Sequence, residues 1–186
     1  MSLRLIALST LFALTACFDP VHHAPKSNWE THQNHATTQT IYQARVVAVS
    51  DGDTIHVIDR NGQKRKIRMA YIDAPELQQA HSEASRENLT TMIEGQTVEV
   101  TVFERDRYQR EVAQVRLNGR DVNLAQLENG HAWHYVSIAK KKQSKTDYQV
   151  YGQAELNARS KRLGLWHAKN PQAPWHFRKE QRQNAQ

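Results

Sequence analysis

Five short runs of alternating, largely β-branched residues follow one another after residue 40, and they restrict the fold more than any other feature of the chain. They read "ARVVAVS", "DTIHVID", "KIRMAYI", "TVEVTVF" and "EVAQVRLN", with turn signals at Asn61-Gly62 and Asn118-Gly119. A period of two is typical of strands that bury one face. The sequence therefore predicts five strands.

Helical spacing interrupts this pattern after the third strand. In "SEASRENLTTMIEG" Leu89, Met92 and Ile93 lie at helical intervals, and Gly95 is a plausible C-cap. The segments "VNLAQLENG" and "YGQAELNARSKRLG" predict two further helices, closed by Gly130 and Gly164. Five strands with a helix inserted after the third predict a mainly β, α+β fold: a five-stranded OB-type Greek-key barrel with about three α-helices.

The segment before the strands has the organisation of an export signal. One Arg and an apolar run over 5–14, too short to span a bilayer, precede "LTAC" at 14–17. That string resembles the bacterial lipobox, in which cleavage before the cysteine is followed by lipidation. We therefore expect a lipoprotein signal peptide over 1–16 and a lipid anchor on Cys17. An ordinary cleaved signal with an incidental cysteine is the alternative.

The remaining segments outside the barrel are polar. Residues 17–40 lack hydrophobic periodicity and predict a disordered tether, the barrel domain covers 41–178, and 179–186 predict a polar tail. The lysine-rich run 140–145 predicts a solvated loop, although cations there would also suit a barrel that follows a phosphodiester backbone. The formal net charge of +6 favours an anionic partner, either nucleic acid or phospholipid headgroups.

Three segments collect charged residues at the ends of the predicted strands. The first, "DGDT" at 51–54, is also the composition of a simple hairpin turn, in which Asp51 could make the turn or support a bound metal. The second, "RMAYIDAPE" at 68–76, places Arg68 on the strand face opposite its apolar neighbours. Asp53, Asp73 and the carbonyl of Ala74, with water, would suit a hard cation such as calcium.

The third segment is "RDRYQR" at 105–110. Arg110 shares strand parity with Gln114 and Arg116, so it should point away from the core. A solvated charged turn is the alternative for this segment.

Together, the three segments resemble the staphylococcal nuclease family. That family's "DGDT", "R…D-[TA]-P-E" and "D-x-Y-G-R" motifs occur here in the same order, and "LAQLENGHAWHY", "YGQAELNAR", "GLW" and "PWHFR" are similar to its C-terminal stretches. The resemblance covers about 41–178. It implies a metal-dependent phosphodiesterase on an OB-type barrel, with calcium held by the two carboxylates and the carbonyl named above.

The resemblance also implies catalytic roles. Arg68 and Arg110 would clamp the scissile phosphate, which planar guanidinium groups grip through two oxygens. Glu76 would orient or deprotonate the attacking water. Tyr108 and Tyr135 are candidates for stacking on nucleotide bases.

Two residues depart from the family pattern. Gln109 stands where the family often has glycine, which could aim Arg110 differently, and Ala74 replaces threonine, which matters little if only its carbonyl binds.

We expect a monomeric, calcium-dependent endonuclease that hydrolyses DNA and RNA with low sequence specificity at the cell envelope. An inactive nuclease-like barrel that binds nucleic acid is the main alternative. An envelope protein that holds anionic lipids through its basic face is another, but it would not require carboxylates within the motifs.

Overall fold

Eight strands build the sheets of the computed structural model, which describes residues 39–185. They are β1 (Thr40–Asp51), β2 (Thr54–Asp59), β3 (Lys64–Met69), β4 (Ile72–Asp73), β5 (Thr97–Arg105), β6 (Glu111–Leu117), β7 (Arg120–Asp121) and β8 (Trp133–His134). The five predicted strands correspond to the long ones, β1, β2, β3, β5 and β6. The short strands β4, β7 and β8 were not predicted.

The five long strands close into a barrel. Their order is β3-β2-β1-β5-β6 with antiparallel neighbours, and parallel pairing of β3 with β6 joins the two edges. In this closing ladder Ile67 lies opposite Glu111, Arg68 opposite Val112 and Met69 opposite Ala113. The predicted α+β, OB-type Greek-key barrel is confirmed.

Alternation along the strands fills the barrel interior. Residues with no or almost no exposed surface come from every long strand: Val46, Ile55, Val57, Ile67, Met69, Val98, Val100, Ala113 and Val115. Their neighbours along each strand face outward or into the surrounding loops. Small, branched side chains suit the interior of a five-stranded barrel, where little space is available.

The described part of the chain contains five α-helices packed around the barrel, so the predicted number of about three is too low. They are α1 (Ser82–Ile93), α2 (Val122–Glu128), α3 (Val136–Lys142), α4 (Lys145–Ser160) and α5 (Pro174–Asn184), with a 3-10 helix over Gly164–His167. The helices α1, α2 and α4 are the predicted ones. Asp121 caps α2 by accepting from the N–H of Leu124, and Ser144 caps α4 by accepting from the N–H of Asp147.

Each of the two unpredicted helices has only one buried residue. Ala139 is the buried residue of α3, and Pro174 is the buried residue of α5. The lysine-rich run 140–145, predicted as a loop, instead forms the last turn of α3 and the first residue of α4, and α5 extends through 184 into the segment predicted as a polar tail.

The predicted signal peptide, Cys17 and nearly all of the tether lie outside the described residues. Within 39–185, no helix combines the length and the apolar character that crossing a bilayer requires.

Candidate active site

One cleft at the rim of the barrel contains every predicted catalytic, metal-binding and base-stacking residue. Its volume is about 500 Å³. Its lining includes Asp53, Arg68, Asp73, Ala74, Glu76, Tyr108, Arg110 and Tyr135. Three segments that are far apart in sequence thus form a single concave surface.

The turn between β1 and β2 is fixed by close packing at Gly52. A Cβ atom at this position would lie 1.8 Å from Oγ of Ser85 on α1 and 2.8 Å from Cβ of Ala74. The carbonyl of Gly52 accepts a 2.6 Å hydrogen bond from Nε2 of buried Gln126. Asp51 accepts from the N–H of Asp53 over 3.0 Å, so its observed role is to shape the turn.

Asp53 is buried, and both of its carboxylate oxygens accept hydrogen bonds. Its Oδ1 accepts from Oγ1 of Thr54 over 3.0 Å and lies 3.1 Å from Nε of Arg68. Its Oδ2 accepts from the backbone N–H of Ala74 over 2.7 Å. The first two motifs are therefore joined directly.

Arg68 links the two aspartates, because besides Asp53 it reaches Asp73. Nη2 donates to Oδ1 of Asp73 over 2.8 Å, and Nη1 donates to the carbonyls of Met69 and Ile72 over 2.7 and 2.9 Å. Nη1 and Nη2 thus donate three hydrogen bonds, and Nε lies within ion-pair distance of Asp53. Arg68 therefore anchors the carboxylates, and one N–H of Nη2 has no hydrogen-bond partner among the described residues.

Burial shifts the acidity of both aspartates. It raises the pKa of Asp53 to about 7, opposed by the positive charge of Arg68. It also raises the pKa of Asp73, opposed by hydrogen bonding to Arg178 and by the charge of Arg68. Ionising both groups requires positive charge nearby, and Arg68 and Arg178 supply it.

The donor atoms suit a hard cation. Asp53, Asp73 and the Ala74 carbonyl offer oxygen ligands only, which calcium and magnesium prefer. Within 39–185, no three His, Cys, Asp or Glu side chains are arranged to hold a metal ion. A cation here would therefore rest on two carboxylates, backbone oxygen and water.

Glu76 contacts a residue that sequence analysis did not assign to the site. Nη1 of Arg178, on α5, donates to Oε1 of Glu76 over 2.6 Å. Arg178 also donates to Asp73, from Nη2 to Oδ2 over 2.9 Å and from Nη1 to Oδ1 over 3.2 Å. The "PWHFR" segment that contains it was noted only for its family likeness, and nothing in its spacing indicates a contact with residues 73–76.

Arg110 is free to bind an anion. Register places it in the cleft, because Val112, two residues later, lies opposite Arg68. Its Nε donates to Oδ2 of Asp106 over 2.7 Å. Neither Nη1 nor Nη2 of Arg110 donates to another group among the described residues, so both are available for a phosphate.

The loop that carries Arg110 is strained at Gln109. Gln109 has a φ of 62°, a left-handed conformation that glycine adopts without cost. Asp106 holds the loop by accepting from the N–H groups of Tyr108 and Arg110 over 2.9 and 3.0 Å. Gln109 therefore retains a glycine-like backbone.

The two tyrosines differ in availability. Tyr108 is 64 % exposed, with the guanidinium of Arg107 4.8 Å from its ring centre. Tyr135 immediately precedes α3 rather than lying in a strand, and its ring stacks on Trp175 at 5.8 Å. Each ring therefore already has neighbours, Trp175 beside Tyr135 and the guanidinium groups of Arg107 and Arg110 beside Tyr108, but Tyr108 is the more exposed of the two.

Several known proteins resemble this chain over well more than half of its length. A protein of Haemophilus influenzae named an uncharacterized endonuclease is 36% identical over 140 residues, 75% of each chain. The micrococcal nuclease of Shigella flexneri is 37% identical over 147 residues, 74% of this chain and 81% of its own. A staphylococcal-like nuclease of Arabidopsis thaliana is 37% identical over 119 residues, and the match spans only 35% of that longer protein.

The family comparison agrees with these similarities. The family model described as staphylococcal nuclease homologue matches residues 66–168, more than half of the chain. The match includes Arg68, Asp73, Glu76 and Arg110, and the "DGDT" turn lies just before it. The chain belongs to the staphylococcal nuclease family.

Proposed function

We propose that this protein is a calcium-dependent endonuclease that hydrolyses phosphodiester bonds of DNA and RNA with low sequence specificity. The observation that carries the proposal is the joint presence in one cleft of buried Asp53 and Asp73, the carboxylate of Glu76 and the guanidinium of Arg110, which pairs with Asp106 through Nε alone. The names of the endonuclease relatives support it.

The chemistry requires a nucleophile and positive charge around phosphorus. Glu76 would accept a proton from a water molecule whose oxygen attacks phosphorus in line with the leaving sugar oxygen. The bond between phosphorus and that oxygen breaks, and the leaving oxygen takes up a proton. Arg110, with the remaining N–H of Arg68, would offset the charge on the non-bridging oxygens.

A calcium ion held by Asp53, Asp73 and the Ala74 carbonyl would supply further positive charge at the phosphate. Exposed Tyr108 would stack on a base next to the scissile bond, which involves no base-specific hydrogen bond and is consistent with low specificity. Tyr135 offers at most one face for this purpose.

The location that we propose is the cell envelope, with the protein anchored by lipid on Cys17. The "LTAC" string supports this part of the proposal. We further propose that the protein acts as a monomer.

The test is cleavage of single-stranded DNA, double-stranded DNA and RNA by the purified protein, with calcium or with a chelator. Glu76→Gln should reduce turnover by about 100-fold or more if Glu76 is a general base. Glu76 and Arg178 are partly exposed, so the loss of their ion pair should change the free energy of unfolding by less than about 1 kcal/mol.

Asp53→Asn should instead raise the calcium concentration needed for activity, because it removes a ligand charge. Binding of nucleic acid without cleavage under any metal condition would replace the proposal with that of an inactive binding module. A wild-type rate for stable Glu76→Gln would remove Glu76 from the reaction.

A further inference from the structure

Charges alternate in a continuous chain of ion pairs through the cleft. Asp53 contacts Arg68, Arg68 contacts Asp73, Asp73 contacts Arg178 and Arg178 contacts Glu76, with closest N···O distances of 3.1, 2.8, 2.9 and 2.6 Å. The two aspartates are buried, and Glu76 lies at the outer end. Among residues 39–185, Arg178 is therefore the side chain whose ion pairs join Glu76 to the buried carboxylates.

Arg178 reaches the cleft from a remote element. It lies 105 residues after Asp73 and 102 after Glu76, on α5. The part of the chain that matches the family model ends at residue 168, before α5 begins. Arg178 is therefore outside the matched region although its side chain is inside the cleft.

The start of α5 is held by packing. Trp175 packs against the hydrophobic cluster that contains Trp133 and Trp166, and it stacks on Tyr135. The carbonyl of Gln172, just before the helix, accepts a hydrogen bond from Gln79. Packing thus fixes the first turn of the helix, and the ion pairs of Arg178 connect that turn to the carboxylates.

Glu76 depends on Arg178 for its orientation. Its side chain is 40 % exposed, and among residues 39–185 Arg178 is the group that hydrogen bonds to its carboxylate. A glutamate side chain has several rotamers of similar energy when no contact selects one. A general base must be held within hydrogen-bonding distance of the water that it deprotonates.

We propose that Arg178 is a positioning residue that holds the carboxylate of Glu76 in its reactive orientation. This inference rests on the proposed function. It assigns to α5 a part in the reaction: two fixed oxygens of Asp73 orient the guanidinium, and the guanidinium in turn orients Glu76. Arg178 acts through Glu76 and is not itself assigned contact with the substrate.

The first test measures kcat and KM for Arg178→Met in the full chain. We expect kcat to fall by about 10-fold or more with KM within about 2-fold, because orientation rather than substrate binding is lost. Arg178→Lys should recover part of kcat, since an ammonium group can still pair with Glu76 but not bind both carboxylates in a fork. Lys179→Met removes the same charge from the next, exposed position of α5 and should retain wild-type kinetics.

The second test separates positioning from simple stabilisation of the fold. If Arg178 acts through Glu76, Arg178→Met should cost less than about 2-fold in kcat when Glu76 is already Gln, because coupled residues are non-additive. An undiminished loss in the Glu76→Gln background would overturn the inference. So would an unchanged or increased kcat in Arg178→Met.

Tryptophan fluorescence and thermal melting without calcium show whether α5 stays docked in each variant. If Arg178→Met releases the helix, Arg178→Gln, which keeps a hydrogen-bond donor, replaces it in both tests. Absence of hydrolysis by the wild-type protein would instead refute the proposed function. Hydrolysis that is indifferent to Arg178 would refute this inference alone.

Discussion

Nη2 of Arg68 donates to Oδ1 of Asp73 over 2.8 Å, and both side chains are largely buried. Arg68 lies near the end of β3, and Asp73, five residues later, ends β4, so the pair spans the turn between the two strands. The same guanidinium holds two backbone carbonyls of that turn. Arg68 therefore supports the local backbone as well as the charge balance of the cleft.

Arg68→Lys should lower both stability and activity. Lysine has a single nitrogen, so it cannot replace contacts made by Nε, Nη1 and Nη2 together. We expect the free energy of unfolding to fall by about 2–4 kcal/mol, because a buried carboxylate loses its partner. Activity should fall by about 100-fold or more, as when a donor to the developing charge is removed. Denaturant unfolding and cleavage assays measure the two effects.

Arg65→Lys is the matched control for this substitution. Arg65 also joins two buried carboxylates, at 2.9 Å from Asp59 and 2.7 Å from Glu111, but it lies outside the cleft. The Arg65→Lys protein should be less stable than the wild type but should keep wild-type activity when the assay is run below its melting temperature. Equal losses of activity in both variants would show that Arg68 acts only through the fold.

Gln109→Gly should stabilise the protein. The left-handed backbone of Gln109 costs a non-glycine residue about 1–2 kcal/mol, partly offset by the greater entropy of glycine in the unfolded chain. We expect the free energy of unfolding to rise by up to about 1 kcal/mol, with kcat within about 2-fold because the loop geometry is unchanged. Asn118→Gly, at a φ of 50°, should gain less, since asparagine tolerates this conformation. A loss of stability at Gln109 would contradict the assigned strain.

Gly52→Ala should destabilise the turn that carries Asp53. The new methyl group would overlap Oγ of Ser85, and relief of the overlap should cost about 1–3 kcal/mol. Gly152→Ala is the control: its nearest neighbour would be Nδ1 of His134 at 3.8 Å, so a helix-favouring alanine should add up to about 1 kcal/mol. Melting temperatures that move in the same direction for both variants would refute the packing argument.

Titration of His131 should contribute a loss of stability in mild acid. Burial, and then the charge of neighbouring His81, lowers the pKa of His131 to about 4, below the value of about 6.5 expected in the unfolded chain. Between these values the unfolded state binds a proton that the native state does not, so the contribution of His131 to the free energy of unfolding falls as pH falls from about 7 to 4, whereas the raised pKa of Asp53 contributes with the opposite sign. The free energy of unfolding of His131→Gln should therefore rise relative to that of the wild type as the pH is lowered through this range.

The measurement is denaturant unfolding at several pH values. His176→Gln, at an exposed position on α5, controls for the removal of an imidazole elsewhere. A pH dependence of His131→Gln equal to that of the wild type would exclude His131 as its source.

Cys17→Ser should abolish incorporation of labelled lipid and leave the precursor uncut, because lipidation requires the thiol. Metabolic labelling and membrane fractionation after a high-salt wash measure this. Mature Cys17→Ser protein that remains with the membranes would contradict the proposed anchor.

The barrel and most of the cleft were predictable because their signals are local. Alternation marks the long strands, and the charged segments lie at strand ends, where register brings Arg68 and Val112 side by side. The helices α3 and α5 were missed because each has only one buried residue, Ala139 in α3 and Pro174 in α5, so a repeated apolar spacing does not mark them. The strand β8 was missed because it contains only two residues.

Arg178 could not be predicted from spacing at all. Its contacts depend on where α5 lies after more than a hundred intervening residues, and an arginine on a polar helix is ordinarily solvated. The left-handed backbone at Gln109 could not be predicted either, because only its φ angle of 62° shows that the loop keeps the conformation typical of glycine.

The ladder between β3 and β6 has a consequence for how the chain reaches its native state. It pairs residues 44 positions apart, such as Ile67 and Glu111, so it forms only after a long segment has been brought back to the first hairpin. Closure of such contacts slows folding, because chain entropy is lost before the pairing compensates for it. Pairing of β3 with β6 brings Arg110 near Arg68. We therefore expect a newly made or partly refolded chain to complete its cleft late, when this pairing forms.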